Sequence, residues 1–495
     1  MNRQLRRLGA GLLGCYLALL AMVNYIQVFH AEALNTHVLN QRTVVEDFDR
    51  PRGQIISADG AVLARSVASP PGDKFTLQRE YPEGELFGHI TGYFNVNFGA
   101  TGIEQQYADE LGGHPVSQDV RTLRDLFVGE ESPEDVVLTV RKDVQQQAKD
   151  LLGERKGSIV VMNPQDGSIL ALWSYPAYDP NPLASHDAAA SQAAKDALNA
   201  AADKPLRART WQERLFPGST FKIVTGSIGV DRGVVTPTDP SYPASTGYKI
   251  DFTNKPLGNF ADSRGNAEKC GGSLFEILRV SCNSAFAEMG DKTIGQAGMV
   301  AGAEKFGFNQ KMPIDLPAAA TSTFPTDFPK DQGNGPLARA SIGQGDVQAS
   351  PLEMALVAAA IGNGGVMMTP HVMAEVRDQK GDVVEQYQPK PWRTAVSEQT
   401  AATMRQAMLG VVQGGTGTAA QIPGFEVAGK TGTAQVGNGS TSHAWFVCFA
   451  GLPGQAPTVA VAVVLEGEPG AKEATGGTIA APIAKALLQT VLGAG

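Results

Sequence analysis

The segment Pro217-Gly218-Ser219-Thr220-Phe221-Lys222 decides how the rest of this chain is interpreted. Pro217-Gly218 is a turn signal and the apolar pair Ile223-Val224 follows, so the sequence predicts that Ser219 opens a buried helix. Residues three apart share one face of a helix, which brings the Lys222 amine within reach of the Ser219 hydroxyl. That arrangement activates a serine nucleophile. The alternative is that Ser219 caps the helix while Lys222 is a solvated charge.

The length and composition are those of an ordinary globular protein with more than one domain. The chain has 495 residues, of which 42% are hydrophobic and 18% are charged, and this length exceeds the usual size of one domain. The net charge of −9 and the lack of a long basic stretch argue against a general nucleic-acid-binding protein.

An apolar segment follows a basic N-terminus. Three arginines within the first seven residues precede an apolar run from Leu8 to Phe29, about the length needed to span a bilayer. The arginines predict a cytoplasmic N-terminus and an extracytoplasmic body. A cleaved signal peptide is the alternative, because Ala31-Glu32-Ala33 fits a cleavage pattern, but the apolar run is long for one. We therefore expect a cytoplasmic stub at 1–7 and a transmembrane anchor at 8–29 in the plasma membrane.

The four cysteines give limited information. Cys15 lies in the anchor, which leaves Cys270, Cys282 and Cys448 outside. Cys270 and Cys282 are close in sequence, and the sequence leaves a disulfide and two free thiols equally open. Cys448 lies in an apolar stretch and is expected to be a small buried residue. No cluster of Cys and His has zinc-site spacing, so the sequence implies no metal.

Residues 30 to about 150 form a short-stranded, irregular region. Two apolar runs flanking Asp59-Gly60 predict a hairpin, and helical periodicity is present at residues 105–111. The apolar run at 136–140 predicts a strand, and Asp143 is expected to cap a helix that continues to Leu152. Nothing in this region has the composition of a catalytic site.

The body of the chain begins near Gly157, where the composition changes. Strand patterns near its start and its end enclose long helical patterns, which predicts an α+β domain around an antiparallel sheet. The predicted strands are Ser158–Met162, Ser168–Trp173, Ala444–Ala450 and Thr458–Leu465. Ile479–Leu492 is predicted to be an amphipathic helix, and the Ala-rich segment Ala184–Ala202 is expected to be a surface helix or a flexible excursion.

Two further stretches carry chemical groups. Ser281-Cys282-Asn283 lies between two helical patterns and offers a hydroxyl and an amide on a turn. Its alternative is a helix N-cap. Lys430-Thr431-Gly432-Thr433 lies in or beside a strand, where a glycine often marks the close approach of another backbone or a ligand. A lysine and two hydroxyls there would bind a carboxylate, and the alternative is an exposed edge strand that carries lysine against aggregation.

The three motifs occur once each, in the order Ser-x-x-Lys, Ser-x-Asn and Lys-Thr-Gly. This set resembles the one that penicillin-binding proteins and serine β-lactamases share. The segment starting Arg52-Gly53-Gln54-Ile55 is similar to the pedestal entry of class B penicillin-binding proteins, most of all the actinobacterial penicillin-binding protein A group. Similar segments beyond the motifs are Tyr178-Asp179-Pro180-Asn181, Ser341-Ile342-Gly343-Gln344-Gly345, Ser350-Pro351-Leu352, Asn363-Gly364-Gly365 and His443-Ala444-Trp445-Phe446.

The resemblance implies catalytic roles. Ser219 would attack the carbonyl between the last two D-alanines of a peptidoglycan stem peptide, and Lys222 would take its proton. Ser281 would pass the proton to the departing D-alanine. The backbone N–H groups of Ser219 and Thr433 would form the oxyanion hole. An amine from a neighbouring stem would then resolve the acyl-enzyme and form a crosslink.

The resemblance also implies binding roles. Asn283 would hold the substrate amide, and Lys430 would raise the local positive potential. Thr431 and Thr433, with Gly432 between them, would grip the terminal carboxylate. The ligands implied are stem peptides as acyl donor and amine acceptor, with β-lactams as covalent inhibitors and with no cofactor.

The implied fold is the serine β-lactamase and penicillin-binding transpeptidase fold, an antiparallel sheet with helices on both faces plus a helical subdomain. A β-rich pedestal domain is expected at 30–153 and the transpeptidase domain at 154–495. The expected function is D,D-transpeptidation in cell wall synthesis. A membrane glycosyltransferase of the division or elongation machinery is the expected partner.

Other functions are compatible with the same motifs. A D,D-carboxypeptidase would share all three, but the class B pedestal and single anchor favour the transpeptidase. A non-catalytic β-lactam sensor or scaffold is expected to carry several membrane spans or an intracellular output domain. The Glu-x-x-Leu-Asn segment of class A β-lactamases is missing, and the region before residue 154 is too short for a glycosyltransferase domain. The sequence leaves open the choice between division and elongation and the acceptor diamino acid.

Overall fold

The apolar N-terminal segment forms one long helix. A computed structural model of the chain describes residues 3–29, 48, 50–113, 132–260, 267–436, 441–467 and 475–494. The first range is helix α1 (Arg3–Phe29). Its segment Arg7–Ile26 is long and apolar enough to cross a membrane by length and composition, and it is not buried against the rest of the protein. The alternative cleavage segment at 31–33 lies outside the described residues.

The region from residue 50 to 152, which we call the pedestal, is β-rich. Its β1 and β2 pair antiparallel around Asp59-Gly60, which confirms the predicted hairpin, and Tyr107 divides the predicted helix at 105–111 into two short ones. The elements of the pedestal are β1 (Ile55–Ile56), β2 (Val62–Ala68), β3 (Leu77–Glu80), a 3-10 turn (Gly84–Leu86), α2 (Gly88–Thr91), β4 (Phe94–Asn95), β5 (Gly99–Ala100), α3 (Gly102–Gln106), α4 (Ala108–Gly112), β6 (Asp135–Leu138) and α5 (Lys142–Leu152).

The start of α5 differs from the prediction. The helix begins at Lys142 with Arg141 as its N-cap, so the expectation that Asp143 caps it is wrong. The Asp59 carboxylate instead accepts hydrogen bonds from the backbone N–H groups of Lys142 (3.0 Å) and Asp143 (3.3 Å). The turn of the first hairpin therefore satisfies donors that helix geometry leaves free.

The remainder of the chain alternates strands with helices. Its elements are β7 (Gly157–Met162), β8 (Ile169–Tyr175), α6 (Ala188–Ala200), α7 (Arg209–Gln212), a 3-10 turn (Gly218–Phe221), α8 (Lys222–Asp231), β9 (Tyr242–Ser245), β10 (Gly247–Tyr248), β11 (Leu257–Gly258), β12 (Cys270–Gly272), α9 (Leu274–Arg279), α10 (Asn283–Glu288), a π-helix (Met289–Ile294), α11 (Gln296–Lys305), a 3-10 turn (Lys330–Gln332), α12 (Gly335–Ala340), α13 (Pro351–Gly362), β13 (Val366–Met368), β14 (Met373–Arg377), β15 (Val383–Gln386), β16 (Pro391–Thr394), α14 (Glu398–Gly414), a 3-10 turn (Thr418–Ala420), β17 (Glu426–Val436), β18 (Thr441–Gly451), β19 (Val459–Leu465), a π-helix (Gly476–Ala480) and α15 (Ala481–Leu492).

A five-stranded sheet is the centre of this part. Its order is β17-β18-β19-β7-β8, and all neighbouring strands are antiparallel. Every residue of β19 is buried, so the sheet is covered on both faces. Helices α13 and α15 both pack against this strand. The α+β class and the four predicted strands are therefore confirmed.

The pedestal and the rest of the chain share a second sheet. Its order is β15-β14-β6-β1-β2-β3. Strands β14 and β15 come from residues 373–386, far beyond the pedestal in sequence, and β14 pairs antiparallel with β6. A division of the chain near residue 153 therefore leaves one hairpin of the later region in the pedestal sheet.

Candidate active site

Ser219 lies on the turn that leads into buried helix α8. The turn Gly218–Phe221 is 3-10, and Pro217 occupies its N-cap position, so the interpretation of Ser219 as a helix cap is wrong. Gly218 has a φ of +53°, and an ideal Cβ there would lie 2.9 Å from the Ala434 Cβ. Glycine therefore lets the turn approach strand β17. The half-buried Ser219 faces a cleft.

Lys222 is fully buried, which excludes its interpretation as a solvated charge. Its Nζ donates hydrogen bonds to the Ser281 carbonyl oxygen (2.7 Å), the Ser281 Oγ (3.2 Å) and the Asn283 Oδ1 (2.6 Å). Within the described part of the chain, no hydrogen bond joins Lys222 to the Ser219 hydroxyl. The structure thus brings the first two motifs together through Lys222.

Lys430 reaches the same position from strand β17. This strand is at the edge of the five-stranded sheet, as predicted, but Lys430 is fully buried, so the interpretation as an exposed edge lysine is wrong. Its Nζ donates to the Ser281 Oγ (2.8 Å) and to the Thr431 carbonyl oxygen (2.9 Å). The Ser281 hydroxyl therefore lies between two buried amines, and it connects all three motifs.

The Ser281 turn joins α9 to α10, as the flanking helical patterns predicted. Cys282, not Ser281, is the N-cap of α10, so the capping interpretation of Ser281 is wrong. Ser281 has a φ of +61°, a left-handed conformation that costs a residue with a side chain on the order of 1–3 kcal/mol. This conformation directs both its carbonyl oxygen and its hydroxyl towards Lys222.

The structure resolves the pairing of the cysteines. Cys270 and Cys282 form a disulfide with Cα atoms 5.8 Å apart, which ties the Ser281 turn to β12. Cys448 is free and buried in β18, as predicted, and burial raises the pKa of its thiol.

Burial lowers the pKa of both lysines. The pKa of Lys222 is well below its ordinary value because burial disfavours the ammonium form and because the charge of Lys430 repels a second charge. Burial lowers the pKa of Lys430 to about 7. The lowered pKa of Lys222 favours its neutral amine, which is the form that accepts a proton.

The rest of the third motif contacts the nucleophile turn. An ideal Cβ on Gly432 would lie 2.9 Å from the Thr220 Cγ2, which confirms the predicted close approach at this glycine. Thr433 lines the cleft beside Ser219. The Thr431 hydroxyl is 2.6 Å from the Thr416 Oγ1 and does not line the cleft.

The three motifs face one cleft with a volume of about 730 Å³. Sequence reasoning identified Ser219, Asn283 and Thr433 in its wall but missed five polar residues: Thr253, Lys255, Asn259, Arg339 and Gln435. Arg339 and Gln435 lie within two residues of recognised segments, and this proximity is a signal for those two; no sequence signal marks the other three.

Asn259 connects the cleft wall to the Ser281 turn. Its Oδ1 accepts a hydrogen bond from the Ser284 backbone N–H (2.8 Å). The neighbouring Gly258 carbonyl accepts one from the Asn283 Nδ2 (2.9 Å). Asn283 is therefore held from both ends of its amide, by Lys222 and by the cleft wall.

An antiparallel sheet covered by helices, with these three motifs at one cleft, defines the class of penicillin-recognising serine acyltransferases. Residues 157–489 match the family model for the penicillin binding protein transpeptidase domain, and residues 52–137 match the penicillin binding protein A dimerisation domain. The first match covers more than half of the chain, and the protein belongs to the penicillin-binding protein transpeptidase family.

Named relatives agree with this assignment. The chain is 35% identical over 511 residues to the peptidoglycan D,D-transpeptidase PbpA of Mycolicibacterium smegmatis, with 99% of each chain covered. It is 34% identical over 509 residues to PbpA of Mycobacterium tuberculosis, again with 99% of each covered.

Solved structures show the same fold. The imipenem acyl-enzyme complex of penicillin-binding protein A from M. tuberculosis matches with a TM-score of 0.77 at 34% identity, covering 90% of this chain and 99% of that one. The penicillin G acyl-enzyme complex of the same protein matches with a TM-score of 0.78 at 33% identity, covering 89% and 99%.

Proposed function

We propose that this protein is a membrane-anchored peptidoglycan D,D-transpeptidase that acts through an acyl-enzyme at Ser219. One observation carries the proposal. The amines of Lys222 and Lys430 converge on the Ser281 hydroxyl beside a cleft that Ser219 lines. Acyl transfer requires buried amines with lowered pKa at the cleft that a serine nucleophile lines.

Acylation releases the terminal D-alanine. The Ser219 Oγ attacks the carbonyl carbon of the penultimate D-alanine, and neutral Lys222 accepts the hydroxyl proton. The backbone N–H groups of Ser219 and Thr433 stabilise the oxyanion. When the C–N bond breaks, the proton passes through Ser281 to the nitrogen of the leaving D-alanine.

Crosslinking reverses this proton movement. An amine of a neighbouring stem peptide attacks the ester carbonyl, its proton returns through Lys222 to the Ser219 oxygen, and a new amide forms. Asn283 holds the substrate amide in both halves. Lys430 supplies positive potential, and Thr433, which lines the cleft, holds the terminal carboxylate of the donor. The Thr431 hydroxyl is paired with the Thr416 Oγ1 away from the cleft and takes no part in this contact, while Gly432 allows the strand to lie close to the nucleophile turn.

Location and organisation follow from the rest of the chain. We place the N-terminus in the cytoplasm and the cleft outside the plasma membrane, because three arginines precede the apolar part of α1. The expected units are the pedestal domain at 30–153 and the transpeptidase domain at 154–495. Since the enzyme forms crosslinks but no glycan, we expect a membrane glycosyltransferase of the division or elongation machinery beside it.

Labelling with a fluorescent penicillin tests the proposal. Wild-type protein is expected to bind the label covalently and to release it slowly. Ser219→Ala is expected to bind none, because the attacking oxygen is gone, while Ser241→Ala, at an exposed serine outside the cleft, labels normally. Persistent label in Ser219→Ala would overturn the assignment of the nucleophile.

A donor peptide and an amine acceptor test the second half-reaction. Mass spectrometry is expected to show crosslinked product and free D-alanine. Release of D-alanine with only the hydrolysed peptide would instead indicate a D,D-carboxypeptidase.

A further inference from the structure

Two cations outside the three motifs line the cleft. Lys255 and Arg339 are both exposed and both contribute to its wall. Across the described residues, neither side chain takes part in an ion pair or a hydrogen bond. Among the described residues that line the cleft there is no Asp or Glu, although the chain as a whole has a net charge of −9. Unpaired positive charge in such a lining favours an anionic ligand.

Hydrogen bonds connect the two segments that carry these cations. The Asp251 backbone N–H donates to the Asn334 Oδ1 (2.9 Å), and the Asn334 backbone N–H donates to the Asp251 Oδ2 (3.2 Å). Asn334 is the N-cap of α12, the helix of Arg339, and Asp251 begins the loop that leads to Lys255. The two charges are thus carried on connected segments, which lowers the entropy cost of holding one ligand between them.

The guanidinium of Arg339 lies near Gly335, the first residue of its own helix, on the side of this loop. An ideal Cβ on Gly335 would lie 3.2 Å from the Arg339 Nη1 and 2.9 Å from the Ile250 Cγ2. Arg339 and the loop therefore meet over Gly335, and the planar guanidinium there is suited to bidentate binding of a carboxylate.

We propose that Lys255 and Arg339 form a subsite for a second carboxylate of the acyl-donor stem peptide, upstream of D-Ala-D-Ala. This rests on the proposed function, in which the third motif already holds the terminal carboxylate, so these two cations take a different group. A stem peptide offers such a carboxylate on its γ-linked D-glutamate, and in some stems on its diamino acid.

Protection from fluorescent penicillin tests the subsite without requiring turnover. The probes are pentapeptides ending in D-Ala-D-Ala, with both upstream carboxylates free, with the D-glutamate carboxylate as an amide, or with the diamino acid carboxylate as an amide. Wild-type protein is expected to be protected roughly tenfold less well by one of the two amidated peptides, because a charge-assisted contact is lost. The amidated peptide that protects less well identifies the carboxylate that binds at the subsite.

The variants Lys255→Gln and Arg339→Gln are expected to lose this preference, so that free and amidated peptides protect equally. The charge-matched control is Lys380→Gln, at an exposed lysine on the β14–β15 turn, which is expected to keep the preference. Normal penicillin labelling without peptide shows that each variant is folded with an intact nucleophile.

Equal protection of the wild type by all three peptides would overturn the subsite, as would a preference that survives in both Gln variants. Failure of the proposed function looks different. In that case no peptide would release D-alanine or form a crosslink, whatever its charge, while the protection experiment would still report on the subsite.

Discussion

The Ser281 hydroxyl lies between two buried amines, and this arrangement determines how Lys222 responds to pH. Burial and the charge of Lys430 both lower the pKa of Lys222, and Lys430 itself is charged mainly below its pKa of about 7. Acylation requires the neutral amine at Lys222, so its rate should rise with pH through the pKa of Lys222 and then level off.

We call the pH range over which the acylation rate rises the acidic limb. Removing the charge of Lys430 should shift this limb along the pH axis. In Lys430→Gln, Lys222 loses a repelling neighbour and keeps its proton to higher pH, so we expect the limb to shift to higher pH. The measurement is the second-order rate of penicillin acylation across the acid-to-neutral range. Lys430→Arg retains the charge and is expected to keep the limb at or below the wild-type pH. A limb that does not move in the Gln variant would show that burial alone sets the pKa of Lys222.

Local spacing correctly predicted that Ser219 and Lys222 lie at the start of a buried helix. It did not predict that the Lys222 amine contacts Ser281 and Asn283 instead of the Ser219 hydroxyl. The placement of Ser281 was less accessible. Its left-handed conformation and its two amine partners depend on chain segments 59 and 149 residues away. The burial of Lys430 was missed for the same reason, since the pattern of an edge strand does not reveal what packs over it.

At the scale of elements, the disulfide fixes the turn that carries Ser281. Cys282 directly follows Ser281 and is bound to Cys270 in β12, so the bridge restrains a turn that is otherwise held in an unfavourable conformation. The double variant Cys270→Ser/Cys282→Ser is expected to lose about 2–4 kcal/mol of unfolding free energy. Its acylation rate should fall roughly tenfold, because a loss of about 1.4 kcal/mol of preorganisation has that effect.

Urea unfolding and penicillin acylation of the full chain measure these two quantities. The control is Cys15→Ser, at an exposed free cysteine in α1, which should change neither. Reduction of the wild type should reproduce the slower acylation. If reduced and oxidised protein acylate equally fast, the bridge serves stability alone.

A second element-scale contact joins the pedestal to the later region. The Asp315 carboxylate accepts hydrogen bonds from the backbone N–H groups of Val372 (2.8 Å) and Met373 (2.8 Å) at the start of β14, and from the Tyr107 hydroxyl (3.0 Å). Asp315 thereby connects β14, the strand that extends the pedestal sheet, to Tyr107 of the pedestal. These hydrogen bonds stabilise the contact between the two regions.

Asp315→Ala would leave these donors without an acceptor, and we expect a loss of about 3 kcal/mol of unfolding free energy. Tyr107→Phe removes one hydrogen bond and should cost about 1 kcal/mol. Urea unfolding of the two variants makes the comparison. Equal losses would show that the two backbone N–H groups find other partners. Because Asp315 is remote from the three motifs in sequence and does not line the cleft, penicillin labelling of the folded protein should persist in both.

No local pattern could have predicted this connection. The hairpin at 373–386 has ordinary strand chemistry, and its partner β6 lies more than two hundred residues earlier. The predicted N-cap of α5 was wrong for a related reason. The residue that satisfies its free N–H groups is Asp59, 83 residues away, whereas capping patterns consider only neighbours.

At the scale of the whole molecule, α1 and the folded body are separate structures. The apolar segment of α1 is not buried in the rest of the protein, and large side chains such as Leu12 and Leu19 are each 65% exposed. Its length and composition are those of a segment that can cross a membrane. By contrast, the described residues that line the cleft all lie between 219 and 435, so the chemistry of the cleft should not depend on α1.

We therefore expect that replacing residues 1–29 by a cleavable signal peptide moves the protein from the membrane fraction to the soluble extracytoplasmic fraction and leaves the penicillin acylation rate unchanged. Export matters because the Cys270–Cys282 bridge forms only in an oxidising compartment. The same truncated chain made without any signal should remain in the cytoplasm with both thiols reduced, and it should acylate as slowly as the double Ser variant. Fractionation and labelling of the three forms measure this. A body that stays on the membrane without α1 would place a second membrane contact in the pedestal or the later region, and a slow rate in the exported form would make α1 part of the working enzyme.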